Sequence, residues 1–141
     1  MSQMSAAEVR AFLLDHTRTA KLATVRADGR PHVAPDWFDL DGETLVFNTG
    51  QDTVKGRNMQ RDPRVCLCIE DDQPPFSFVI IEGTVTLSDD PADLLHWATR
   101  IAGRYMGADQ AAQYGARNGV PGELLVRVTP TKIVAQANIA A

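Results

Sequence analysis

Thr19-Ala20-Lys21-Leu22-Ala23-Thr24-Val25-Arg26-Ala27-Asp28-Gly29-Arg30-Pro31-His32-Val33-Ala34-Pro35-Asp36-Trp37-Phe38-Asp39-Leu40 is the stretch that decides the fold. Thr19 to Val25 alternates, with Ala20, Leu22 and Thr24 on one side and Lys21, Ala23 and Val25 on the other. That is the period of a strand. Asp28-Gly29 supplies the positive φ of a tight hairpin turn. Pro31 to Leu40 then returns as a second strand, and Pro35 marks an edge, a bulge or a break in it, because proline has no N–H to give a ladder. Asp41-Gly42 turns the chain again into Thr44 to Thr49, the third strand. Strands joined by such short turns are antiparallel, which excludes a doubly wound parallel sheet.

Upstream, Ser5 and Glu8 form a capping box before Val9, Phe12 and Leu13, predicting a helix from Ser5 to His16. Downstream, a short helix is expected from Thr53 to Asp62 and a fourth strand from Val65 to Glu70. After a proline-bearing loop, a long fifth strand spans Phe76 to Leu87, with Gly83 marking a bulge or bend. Asp90-Pro91 opens a long helix through Met106 whose inner face is read as Leu94, Leu95, Ala98, Ile101, Ala102 and Tyr105. Asp109 to Asn118 forms another helix, stopped at Gly119, and Leu124 to Ala137 is a last strand. Six antiparallel strands with peripheral helices predict a mainly β (α+β) fold, a closed or nearly closed barrel, in one domain over 1–141.

The 141 residues are 44% hydrophobic and 23% charged, which excludes a disordered chain. A net charge of -4 without a basic stripe argues against a duplex-DNA binder, so no nucleic acid is expected. No apolar run approaches the roughly 20 residues of a membrane span. Glu8 and the lack of an apolar stretch near the N-terminus argue against a signal peptide, so no membrane partner and a cytoplasmic location are expected. Cys66 and Cys68 read as small buried side chains rather than a disulfide or metal pair. His16, His32 and His96 show no metal spacing, and His32, beside a turn, reads as solvated. No metal is expected. Neither a G-x-G-x-x-G, a Walker lysine motif nor a G-x-S-x-G elbow is present.

The sharpest chemical signal is Gln51-Asp52-Thr53-Val54-Lys55-Gly56-Arg57-Asn58. Thr53 is a good N-cap, which puts Lys55 and Arg57 in the first turns of a helix, where cations oppose the dipole. Gly56 adds a helix-propensity cost of roughly 1 kcal/mol. A bound anion would explain these choices, and an accidental glycine on a solvated helix explains them about as well. Val33-Ala34-Pro35-Asp36-Trp37-Phe38 is the second candidate. Its proline and aromatics either wall a slot for a planar ring or simply enter the core, and Asp36, opposite Trp37, is expected in solvent. Arg100 and Arg104 read as a solvated helix stripe, and Tyr105 as packing.

Leu22 to Phe38, Leu40 to Thr49, Asp52 to Val65 and Phe78 to Gly83 together resemble the pyridoxamine 5′-phosphate oxidase-like superfamily, and within it the branch that uses the 5-deazaflavin coenzyme F420. The resemblance implies a split β-barrel of the FMN-binding type, a homodimer with two cofactor sites at the interface. It implies that Lys55, Arg57 and Asn58, with Thr49, Thr53 and Gly56 beside them, hold a flavin or deazaflavin phosphate. It also implies that Pro35, Asp36, Trp37 and Phe38 lie against the ring, while Phe78, Val79 and Ile80 border the site from the partner subunit. Two departures stand out. Relatives often carry a small apolar residue in place of Asp36, and the sequence to Ala141 shows none of the Arg- and Trp-rich C-terminal extension of vitamin B6 oxidases, so vitamin B6 oxidation is not expected. The implied activity is F420-dependent reduction of an electron-poor organic acceptor such as an enone or quinone, with no catalytic side chain identified. The alternatives are an FMN-binding oxidase or flavin reductase, and a non-catalytic cofactor-binding protein.

Overall fold

In the computed structural model, which describes residues 2–141, the elements are β1 (Ser2–Gln3), α1 (Ala6–Asp15), β2 (Ala20–Val25), β3 (Pro31–Asp36), β4 (Asp39–Asp41), β5 (Thr44–Gly50) and α2 (Val54–Arg61), followed by β6 (Arg64–Asp71), β7 (Ser77–Ser88), α3 (Pro91–Met106), a 3-10 turn (Ala108–Gln110), α4 (Ala111–Asn118) and β8 (Glu123–Ala137). All eight strands belong to one antiparallel sheet in the order β3-β2-β6-β7-β8-β5-β4, with β1 paired to the end of β8. The turns are those expected: Gly29 and Gly42 both have positive φ, at 89° and 60°. The expected bulge also forms, as a register shift at Glu82/Gly83, where a Cβ would lie 2.6 Å from the Thr129 carbonyl oxygen.

The strand count corrects the expectation of six, and the sheet is not closed, since its path ends at β3 and β4. Part of the difference is the two-residue β1. The rest is a break in the expected Pro31 to Leu40 strand. At Phe38 the backbone leaves the ladder: its N–H donates to the Tyr105 hydroxyl at 3.1 Å, and its carbonyl accepts from the Arg104 guanidinium. Both partners come from α3, so a helix far away in sequence divides this strand in two.

The main core lies inside the curved sheet, where Leu22, Phe38, Phe47, Leu67, Val79 and Val126 are completely buried. Burying an aromatic of that size stabilises by about 1.5–3 kcal/mol. A second, smaller cluster of Val46, Leu94, Trp97 and Leu125 sits under α3. Both faces of β5 are therefore covered, which is why consecutive Leu45, Val46 and Phe47 are all buried. Helix α1 carries the expected capping box, with Ser5 and Glu8 exchanging bonds of 3.1 and 3.2 Å, and packs Val9, Phe12 and Leu13 into the core. On α3 the buried face is Leu94, Trp97, Ala98, Ile101 and Ala102; Leu95 is 47% exposed, so the expected face is rotated toward Trp97. Cys66 and Cys68 are free thiols, half-buried rather than buried, because Val65, Leu67 and Ile69 take the core side of β6. No helix among the described residues is long and apolar enough to cross a membrane.

Candidate functional site

The N-terminus of α2 forms as expected, with Thr53 as its cap. The Thr53 hydroxyl accepts from the Gly56 N–H at 3.0 Å and donates to the Gly50 carbonyl at 2.7 Å. Thr49 stands beside it, hydroxyl to hydroxyl at 3.5 Å. The first turn of any helix leaves N–H groups without intrahelical partners; here those of Val54 and Lys55 are not met by the cap. Gly56 has a reason of its own. A Cβ there would come within 2.2 Å of the Gly50 carbonyl oxygen, so the glycine serves close backbone packing of α2 on the end of β5. No anion is needed to explain it.

Lys55 is not free either. Its Nζ donates to Asp36 Oδ1 at 2.5 Å, and the two side chains are 16% and 6% exposed. This pair ties α2 to the end of β3 and joins the two segments that the sequence marks as candidates. It also corrects the expectation that Asp36 faces solvent. Asp36 lies on the same side of the chain as Phe38, and both point inward. Burial pushes the Asp36 carboxyl up to about 6, outweighing the downward pull of the Lys55 ammonium. Its second oxygen, Oδ2, is buried with no hydrogen-bond partner. Removing one member of such a buried pair typically costs 3–5 kcal/mol, because the other charge is stranded.

The remaining candidate residues divide. Arg57 is exposed and outside every ion pair among the described residues. Asn58 is buried and its amide donates to the Thr24 hydroxyl at 3.0 Å, so it anchors α2 to β2. Phe38 is a core side chain. Trp37 is half-buried and stacks on Tyr105, with ring centroids 5.0 Å apart and planes within 7°. The Tyr105 hydroxyl, which accepts from Phe38, donates to the Arg18 carbonyl at 2.7 Å, and burial raises its pKa. Tyr105 thus holds the segment rather than only packing. Arg104, expected in a solvated stripe, turns inward to the carbonyls of Phe38, Leu13 and His16; Arg100 stays half-exposed beside Asp39. His32 is half-buried, not solvated, and its Nδ1 is buried without a partner.

Phe78, Val79 and Ile80 lie on β7. Helix α2 packs on β2, β3 and β5, and β7 is two strands from β2 and from β5 and three from β3 in the sheet order. Val79 is completely buried in the core.

A cleft of about 370 Å³ opens beside Asp36, between the strand ends and helices α3 and α4. Pro35, Asp36 and Trp37 line it together with Asn48, Ala98, Ile101, Tyr114, Arg117, Asn118 and Glu123. Glu123 accepts from the Asn48 amide at 2.8 Å, and burial raises its carboxyl pKa. Sequence reading missed Asn48, Tyr114, Asn118 and Glu123. Tyr114 and Asn118 share one face of α4, but Asn48 and Glu123 are 75 residues apart in the chain, and only the placement of α4 against β5 and β8 collects the four.

Comparison with known proteins gives this architecture relatives. The crystal structure of the conserved hypothetical protein Rv2991 from Mycobacterium tuberculosis is 26% identical, with a TM-score of 0.83, over 96% of this chain and 86% of that one. An F420 reductase is 30% identical, with a TM-score of 0.68, over 87% of this chain and 94% of that one. The heme storage protein HutZ from Vibrio cholerae shares the fold at 19% identity, with a TM-score of 0.72, over 96% and 98% of the two chains. The pyridoxamine 5′-phosphate oxidase family model matches residues 5–137. With nearly its whole length matched and its antiparallel sheet flanked by helices, this chain belongs to the pyridoxamine 5′-phosphate oxidase family.

Proposed function

We propose that this protein is an F420-dependent oxidoreductase that works as a homodimer and passes a hydride to an electron-poor organic acceptor such as an enone or quinone. The observation that carries the reading is the Lys55–Asp36 pair. It sets the anion-binding type of helix start at α2 directly against the Pro35-Asp36-Trp37 segment, so a phosphate and a planar ring can be held side by side. The 30% identity to an F420 reductase over 94% of that protein favours the deazaflavin over FMN.

The donor set suits a phosphate. The N–H groups of Val54 and Lys55 are left over at one helix N-terminus, whose dipole favours negative charge; the Thr49 hydroxyl stands beside its cap, and the exposed Arg57 belongs to the same helix. Arg57 is the strongest unengaged donor there, and Lys55 would be shared with Asp36. The Trp37–Tyr105 stack gives the slot a stiff aromatic wall, fixed through the Tyr105 hydroxyl. When bound, the reduced deazaflavin supplies the hydride; the protein orients it and keeps water away.

The test is a titration of the purified protein with F420 and, separately, with FMN, followed by the fluorescence of each cofactor. Saturable F420 binding, tighter than FMN binding, is expected. Arg57→Ala should weaken F420 by about tenfold or more, the worth of one charge-assisted contact, with an unchanged melting temperature. This variant is cleaner than Lys55→Ala, which would strand Asp36. Tighter binding of FMN moves the protein to the flavin branch, and unchanged affinity in Arg57→Ala removes the anion site from α2.

A further inference from the structure

The curved sheet has two faces, and the helices cover only part of the outer one. Helices α1 and α2 close the inner side, where Phe12, Leu13 and Met59 join the main core. Helix α3 lies on the outer side of β4, β5 and β8, over Val46 and Leu125. Across β3, β2, β6, β7 and the second half of β8, the outward side chains stand in cross-strand rows. One row begins with Val33, Ala23 and Cys66. The next runs Pro35, Lys21, Cys68, Ile80 and Val134.

This face is open and largely apolar. Val33 is 65% exposed, Val25 41% and Val134 38%, while Ala23, Ile80 and both cysteines are half-buried. Five adjacent strands at the usual spacing span about 19 Å. Continuous apolar surface of that width marks an interaction site.

The charges on the face indicate what covers it. Lys132 stands 4.0 Å from Glu82, and the Lys21 ammonium turns to the Thr19 carbonyl at 3.4 Å. A membrane surface or a nucleic acid selects a cationic patch, and here the signs are mixed. A two-fold interface puts the same patch on both sides, so a second copy needs a face that complements itself. The outward residues of β6 do so, in the order Arg64, Cys66, Cys68, Glu70. A two-fold axis crossing β6 at Leu67 brings Arg64, 82% exposed beside Asp62, opposite Glu70 of the second copy, with uncharged thiols between. The face also meets the candidate site, because Pro35 both ends a row and lines the cleft.

We infer, resting on the homodimer reading above, that a second copy of this chain docks on the outer face of β3, β2, β6 and β7, with Cys66 and Cys68 near the two-fold axis and the cleft at the margin. The homodimer supplies the need for a partner; the open rows and their charges assign the face.

Val33→Glu and Val134→Glu each place a charge on the face at a position where the single chain has room for it. Leu95→Glu does the same off the face, on α3, where Leu95 is 47% exposed. Sedimentation velocity of the full-length protein at micromolar concentration should show dimers for the wild type and Leu95→Glu. Each face variant should lose the dimer, because its glutamate would be buried without a partner. N-ethylmaleimide reads the same face through the chain's two cysteines, which should react more slowly in the wild type than in Val33→Glu. A wild-type dimer that persists in both face variants, with its thiols alkylated equally fast, overturns this face and leaves the homodimer reading standing. Loss of the dimer in Leu95→Glu alone assigns the interface to α3 instead. A wild-type monomer removes the homodimer reading and this face with it.

Discussion

Asp36 combines burial, an ion pair and an unmet oxygen in one side chain, and its titration should be visible in the stability of the whole chain. The carboxyl titrates near 3.8 when unfolded and near 6 when folded, because burial disfavours its charge more than Lys55 favours it. Between those values the folded chain binds the proton more tightly than the unfolded chain does. The stability this proton contributes is complete below about pH 4, falls as the pH rises toward 6, and is absent above. A shift of this size corresponds to about 3 kcal/mol. Urea unfolding at intervals between pH 4 and 7 should show the decline in the wild type and lose it in Asp36→Asn. A decline of equal size in Asp36→Asn would assign it to other groups. Gly56, on the adjoining helix, has a reason that its helix cost alone does not reveal. A Cβ there would come within 2.2 Å of the Gly50 carbonyl oxygen, so backbone packing requires a glycine whether or not a ligand binds.

The division of Pro31 to Leu40 into β3 and β4 depends on α3. Helix α3 offers a tyrosine hydroxyl and a guanidinium to the two backbone groups of Phe38, and these replace the ladder bonds that a continuous strand would make. Tyr105→Phe keeps the ring stacked on Trp37 but leaves the Phe38 N–H and the Arg18 carbonyl without their partner. The expected loss is about 1–3 kcal/mol of stability, the cost of unmet buried groups. Amide hydrogen exchange should report it locally, with Phe38 exchanging faster while the amides of β6 and β7 stay protected. Unchanged exchange at Phe38 would mean that Tyr105 is not what holds the break.

The family resemblance implies a site shared between two chains, with Lys55, Arg57 and Trp37 from one and Phe78, Val79 and Ile80 from the other; within one chain β7 is two strands from β2 and from β5, on which α2 packs. A second copy is the straightforward way to bring such residues to one cofactor. Sedimentation velocity should therefore show a dimer at micromolar concentration, with one F420 bound per chain. A monomer that binds F420 with undiminished affinity would show that the site is complete within one chain.

Much of the fold was legible locally. The Asp28-Gly29 and Asp41-Gly42 turns, the Ser5–Glu8 capping box, the Thr53 cap and the Gly83 bulge all depend on residues within a few positions of one another, and all form as their chemistry requires. Antiparallel pairing followed from the turns, and the candidate helix start at α2 followed from Thr53, Lys55 and Arg57. The inward turn of Asp36, the rotation of α3 toward Trp97, the open rather than closed sheet and the cleft walled by Glu123 and Tyr114 did not follow. The partners concerned lie 19 to 75 residues away: Lys55 for Asp36, Arg104 and Tyr105 for Phe38, Asn48 for Glu123. Turn and cap energetics act over three or four residues, so sequence order specifies them. Burial and long-range hydrogen bonds depend on which surfaces meet, and that is decided only when the sheet and α3 pack together.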